Sequence, residues 1–139
     1  MPKLHELIIH NKIHYAEIIR SKLKKKETTF LSPSKSSFQF GILAHKKGFV
    51  EPPHYHRPFK RVIKDLQQMF IGQKGKVQVD LYSNKKKLIR KIILKKGDAI
   101  VLIHGIHAIK VIEDMQCISV KQGPFLGAEF DKVNIKKKK

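Results

Sequence analysis

From Thr28 to Lys121 the chain runs as short apolar or alternating stretches: FQFGILAHK, QQMFIG, KVQVDLY, LIRKIIL, DAIVLI, AIKVIE and QCISVK. Each has the length of a strand and is rich in Val, Ile, Phe or Leu, and SPSKSS, GQKGK, SNKKK, KKGD, HG and EDM punctuate the series. A close succession of short strands has few ways to bury its apolar faces, and it points to an all-β barrel or sandwich. KVQVDLY makes the period explicit, with Val77, Val79 and Leu81 on one face and Gln78, Asp80 and Tyr82 on the other.

Residues 1–27 form an N-terminal segment in which HYAEIIR reads as a strand or a short helix, the strand being preferred as a sheet edge or a dimer arm. Residues 28–135 form the barrel, with RPFKRVIKDLQ (57–67) looping out or forming a turn of helix, and the lysines at 136–139 form a tail. At 139 residues the chain is long enough for one domain whose core needs neither a disulfide nor a structural metal. The single cysteine, Cys117, lies in the apolar run MQCISV and reads as a small core residue. No apolar stretch approaches the ~20 residues that span a bilayer, and the N-terminus lacks a secretory pattern, so the expected compartment is the cytoplasm.

Thirty Lys and Arg against eleven Asp and Glu leave a formal net charge of +19. Nearly all of the basic residues are lysines spread along the whole chain, whereas readers of bases and phosphates favour the guanidinium fork. The expectation is non-specific attraction to polyanions at low salt rather than functional nucleic-acid binding.

Within GFVEPPHYHRP, His54 and His56 are two residues apart, the spacing that places side chains on one face of an extended strand. Pro52 and Pro53 bias the approach to extended geometry, so the pair reads as a two-tooth metal clamp or as a coincidence in a solvated strand.

Taken with later residues, the pattern resembles a single-domain cupin. Gly48 is followed by five residues and His54-Tyr55-His56; after a long gap come Gln68, six residues and Gly75; a second motif supplies Gly97, Asp98, Gly105 and His107. The likeness covers roughly residues 38–125, and the ending VKQGPFLG is similar to small bacterial cupins of unassigned activity, some associated with surface-sugar synthesis. The sequence departs from the pattern in three places: Gln68 stands where a glutamate is usual, the gap after His56 is longer, and Ile103 replaces a common proline with one residue fewer before the histidine.

The resemblance implies a cupin-type double-stranded β-helix, or jelly-roll, in which His54, His56, Gln68 and His107 converge on a divalent transition metal, with Fe, Ni, Zn and Mn equally suited. Four neutral ligands leave the ion's charge uncompensated and favour a small anionic molecule. Arg57, Lys60 and Arg61 strengthen that preference if their loop folds over the barrel mouth, and His45 and His104 are further candidates for contact with the ligand. The fourth ligand stays open, with Glu51 as an alternative to Gln68 and His104 as an alternative to His107. Three functions follow: a metal-dependent oxygenase, isomerase or lyase; a metal-free sugar-nucleotide ketoisomerase or epimerase using histidine as general base; or a non-enzymatic barrel binding a ligand or a polyanion. A homodimer sharing edge strands is the expected assembly.

Overall fold

A computed structural model of the chain describes residues 3–135; the lysine tail at 136–139 lies outside the described residues. The protein is all-β, a curled antiparallel sheet in the form of a half-barrel. Its strands are β1 (His5–His10), β2 (Ile13–Ile19), β3 (Thr29–Phe30), β4 (Gly41–Ile42), β5 (Gln68–Tyr82), β6 (Leu88–Lys95), β7 (Ala99–Leu102) and β8 (Ile106–Lys121), followed by a short helix, α1 (Ala128–Asp131). β3 and β4 form a separate two-stranded ribbon, and the other six strands make one sheet.

β5 is the spine of that sheet. Along one side it pairs with β7 through residues 68–71 and with β6 through residues 76–82; along the other it pairs with β8 over its full length. β7 continues to β2 and β2 to β1, so β2 lies inside the sheet and β1 at its edge. The turn between β1 and β2 is Asn11-Lys12, both at positive φ, as a tight two-residue hairpin requires.

The runs QQMFIG and KVQVDLY, read from sequence as two strands parted by GQKGK, are one strand with a bend. Three register shifts against β8 fall between Gly72 and Val77. A Cβ at Gly75, whose φ is +76°, would lie 1.9 Å from the carbonyl oxygen of Asp114, and one at Gly72 would lie 2.5 Å from that of Lys95. Bulges sharpen the local twist, and glycine here lets two backbones approach where a side chain would hold them apart. AIKVIE and QCISVK are likewise joined in β8, with EDM at its bend. β6 and β7 break at Lys96-Gly97-Asp98 at the same level, where the Gly97 amide donates to the Gly72 carbonyl at 2.8 Å and the Gly72 amide to the Asp98 carbonyl at 2.8 Å. The sheet turns one corner there, and the turn makes the curl.

Inside the curl lies the core: Ile8 of β1, Ala16 and Ile18 of β2, Val77, Val79 and Leu81 of β5, Ile92 and Leu94 of β6, and Ile100 and Leu102 of β7. The alternation read in KVQVDLY holds: Val77, Val79 and Leu81 are buried while Gln78, Asp80 and Tyr82 are partly exposed. Burying an Ile or Leu completely contributes about 1.5–3 kcal/mol, so this cluster dominates the fold's stability.

Two strand expectations are corrected. FQFGILAHK contributes only the Gly41–Ile42 strand, and the His54-Tyr55-His56 stretch forms no strand. Pro52, Pro53 and Pro58 bring no N–H to a ladder, so the stretch has the extended bias read from sequence but not the means to pair. Residues 57–67 contain no helix. Among the described residues, no helix is long and apolar enough to cross a membrane.

Candidate metal and ligand site

The curl brings distant parts of the β5–β8 ladder face to face. Phe70 pairs with Ser119 and His107 with Leu81, yet the Phe70 and His107 rings lie 6.3 Å apart at 71°. Beside Phe70 lies a cleft of about 200 Å³ lined by Phe70, Val77, Val79, Ile109, Met115, Cys117 and Ser119. Among the described residues, Ser119 and the Cys117 thiol are its polar lining groups, and burial pushes that thiol's pKa up.

Gln68 and His107 belong to this face. Gln68 opens β5, two residues before Phe70 on the same side, and its Nε2 donates to Ser119 Oγ at 2.9 Å. That bond commits the amide nitrogen and leaves the carbonyl oxygen as the atom available to a cation. His107 is the second residue of β8. Solvent reaches it from the open side, but desolvation lowers the imidazole's pKa, and the charge of Lys132 lowers it further. A neutral imidazole is the ligating form.

His54 and His56 are held differently. Every residue from His45 to Leu66 is exposed, and after a turn at residues 46–49 the chain there forms neither helix nor strand. The two imidazoles remain neighbours, with ring centroids 5.3 Å apart at 75°. His54 Nδ1 lies 3.0 Å from the Pro52 carbonyl oxygen and Nε2 lies 3.5 Å from Glu51 Oε1. Donation from Nδ1–H to that carbonyl leaves Nε2 as the lone-pair nitrogen, the arrangement that usually orients a metal-binding histidine.

Of the four candidate ligands only His54 and His56 are neighbours; Gln68 and His107 lie toward opposite ends of the β5–β8 ladder, which the curl brings together at Phe70 and His107. Among the described residues, no group of three or more His, Cys, Asp and Glu is gathered closely enough to hold a metal ion.

Of the other candidates, Arg57, Lys60 and Arg61 are exposed on the segment that carries His54 and His56, with Arg61 over the Phe59 ring at 5.5 Å. His45 stacks on Phe49 at 3.9 Å in a separate shallow cleft between residues 26–28 and 44–49. His104 accepts a hydrogen bond from Asn84 Nδ2 at 2.8 Å and packs on Tyr15 at 5.7 Å, which makes it a loop-bracing residue. Gln67 and Gln68 divide as alternation demands: Gln67 is buried, and its amide donates to Gln122 Oε1 at 2.9 Å.

Asp98, met in sequence as part of a Gly-Asp motif, braces the corner. Its carboxylate accepts hydrogen bonds from Arg20 Nη1 at 3.1 Å, the Ser21 amide at 2.9 Å and the Lys95 amide at 3.0 Å. One cluster escaped the sequence reading. Glu17, 1% exposed, lies 2.7 Å from His5 Nε2 and 3.6 Å from His14 Nε2. Its signal was the Asn11-Lys12 hairpin, which sets the two histidine-bearing strands side by side.

No family model, curated protein or solved structure matches the chain.

Proposed function

We propose that the protein is a metal-binding barrel of the cupin, jelly-roll type, and that it is an enzyme acting on a small anionic molecule held in the cleft. The observation that carries this reading is His107, its pKa lowered, packed beside Phe70 on the side of the sheet from which Gln68 projects. The donor chemistry fits a divalent transition ion: two neighbouring histidines, one with an oriented nitrogen, a third whose pKa desolvation lowers, and an amide oxygen. The ion would supply Lewis acidity and a binding point for an anion.

The protein's own groups favour the same ligand class. Lys132 acts on His107 through its charge, whereas Lys121, opposite Gln68 in the ladder, is already paired with Asp131 Oδ2 at 3.0 Å. The apolar walls of the cleft suit the carbon skeleton of such a molecule and exclude water from it.

The metal-free alternative, with histidine as general base, is weaker on the same observation. A depressed pKa makes His107 a poorer base near neutrality but a readier ligand. Elemental analysis of untagged protein, beside His54→Ala and His107→Ala variants, tests the proposal. Near-stoichiometric metal in the parent protein and its loss in both variants is the expected result. A parent protein that carries none and takes up no Fe, Ni, Zn or Mn overturns it.

A further inference from the structure

The chain leaves two matching surfaces uncovered. β8, sixteen residues long, pairs with β5 along one edge, and among the described residues no strand pairs with its other edge, where the cleft opens. Ile109 and Val111 are exposed on its cleft side, and Ile118 and Val120 on the opposite face. A long apolar edge is a template for another strand and is ordinarily covered. The segment at 43–66 carries the reciprocal problem, since Phe49, Tyr55 and Phe59 are 55%, 82% and 74% exposed and Leu43, Val50 and Val62 are exposed beside them. In the single chain Ala44 bonds Thr28 at the start of this segment, no residue of the segment lines the chain's own β5–β8 cleft, and residues 45–66 remain exposed.

We infer that two copies of the chain exchange this segment, each laying residues 43–66 along the partner's β8 edge and over its open cleft. A second copy is the occupant that offers both surfaces in equal number, and reciprocal exchange closes the assembly with nothing left over. The area suffices. At about 150–250 Å² per aromatic side chain, the three exposed aromatics alone bring roughly 400 Å² from each chain. Two segments, their aliphatic residues and the cleft walls beneath them reach the roughly 1,200–2,000 Å² that stable interfaces bury. Two chains at +19 each repel, so association tightens as salt rises and screens that charge.

The exchange has a consequence for the proposed metal centre: the partner's His54 and the partner's His56 would join Gln68 and His107, so that each site is built from two chains. That consequence rests on the metal reading; the exchange itself does not.

The first test is mass in solution at moderate salt over a range of micromolar concentrations. Twice the chain mass of 16.1 kDa is expected, and a species of single-chain mass at every concentration overturns the inference. Changing Phe59→Lys together with Val62→Lys should halve the mass while the far-ultraviolet β signal persists; a dimer that survives both changes overturns it. Should that variant fail to fold, a Phe59→Cys variant treated with a short bis-maleimide reports directly, with native Cys117 as the second thiol. Covalent linkage between two chains, lost when Cys117→Ser is added, supports exchange; linkage of both thiols within one chain overturns it. Co-refolding a His54→Ala, His56→Ala variant with a His107→Ala variant then separates the two claims. Recovered metal binding in the mixture supports the shared site, whereas cross-linked dimers without metal leave the exchange standing and remove the metal reading.

Discussion

The ring of Phe70 stands 6.3 Å from the imidazole of His107, although the ladder that joins their strands pairs neither with the other. The contact spans the curl, so it reports on the shape of the sheet as well as on the chemistry of the histidine. Truncating Phe70→Ala admits water to His107 and should raise its pKa toward the ordinary value. Lys132→Ala should raise it less, because desolvation outweighs the lysine's charge. Titration of the His107 ring protons by NMR measures both, and an unchanged pKa in Phe70→Ala would contradict this account.

Gly75 and Gly48 separate two effects of a methyl group. Both have positive φ, but a Cβ at Gly48 meets nothing within 4 Å, whereas one at Gly75 strikes the Asp114 carbonyl. Gly48→Ala should cost about 1–2 kcal/mol at most, from backbone strain alone. Gly75→Ala should cost clearly more, read as a lower urea midpoint.

Asp98 is predicted to matter for stability and not for metal uptake. Replacing it with Ala strands the Ser21 and Lys95 amides and leaves Arg20 only its bond to the Ile93 carbonyl, a loss of about 3 kcal/mol. Metal stoichiometry in the folded fraction should be unchanged, and a selective loss of metal would assign Asp98 a different role.

Glu6 and Arg90 link stability to pH. Hydrogen bonding from Arg90, which donates Nη2–H to Oε2 at 3.1 Å, holds the Glu6 carboxyl below its ordinary value of 4.5. The folded-state pKa is the lower one, so the pair's contribution is present above that ordinary value and disappears as pH falls through the folded-state value. Both side chains are partly exposed, and the effect is small. The urea-midpoint gap between the parent protein and Glu6→Gln should narrow to nothing on acidification from neutrality.

Cys117 lines the cleft with a thiol whose pKa burial has raised. Its alkylation at neutral pH should be several-fold slower than that of a free cysteine, because the thiolate is the reacting form. Phe70→Ala should accelerate the reaction by opening the cleft.

The β character and the inward set Val77, Val79 and Leu81 were legible because alternation is a local signal. Gly75 and Gly97 were visible as breaks, but a glycine in an apolar run marks either a turn or a bend, and only the partner strand decides which. Gly75 proved to be a bend because Asp114 closes against it. For the candidate site, the adjacency of His54 and His56 was readable, while their separation from Gln68 and His107 was not. That separation depends on whether the prolines around them leave enough N–H groups to pair, and on what covers β8. Glu17 with His5 and His14 went unread because their proximity arises only when the hairpin register is set.

The corner at Gly72 and Gly75 also polices alignment. A strand that bends at a chosen residue cannot creep along its neighbour, since a slip of one position would carry a side chain into the backbone crossing and turn Val77, Val79 and Leu81 outward. In a chain with so many interchangeable Val, Ile and Lys residues, the missing methyl group at Gly75 is the notch that tells β5 and β8 where to stop, and the one at Gly72 does the same against the end of β6.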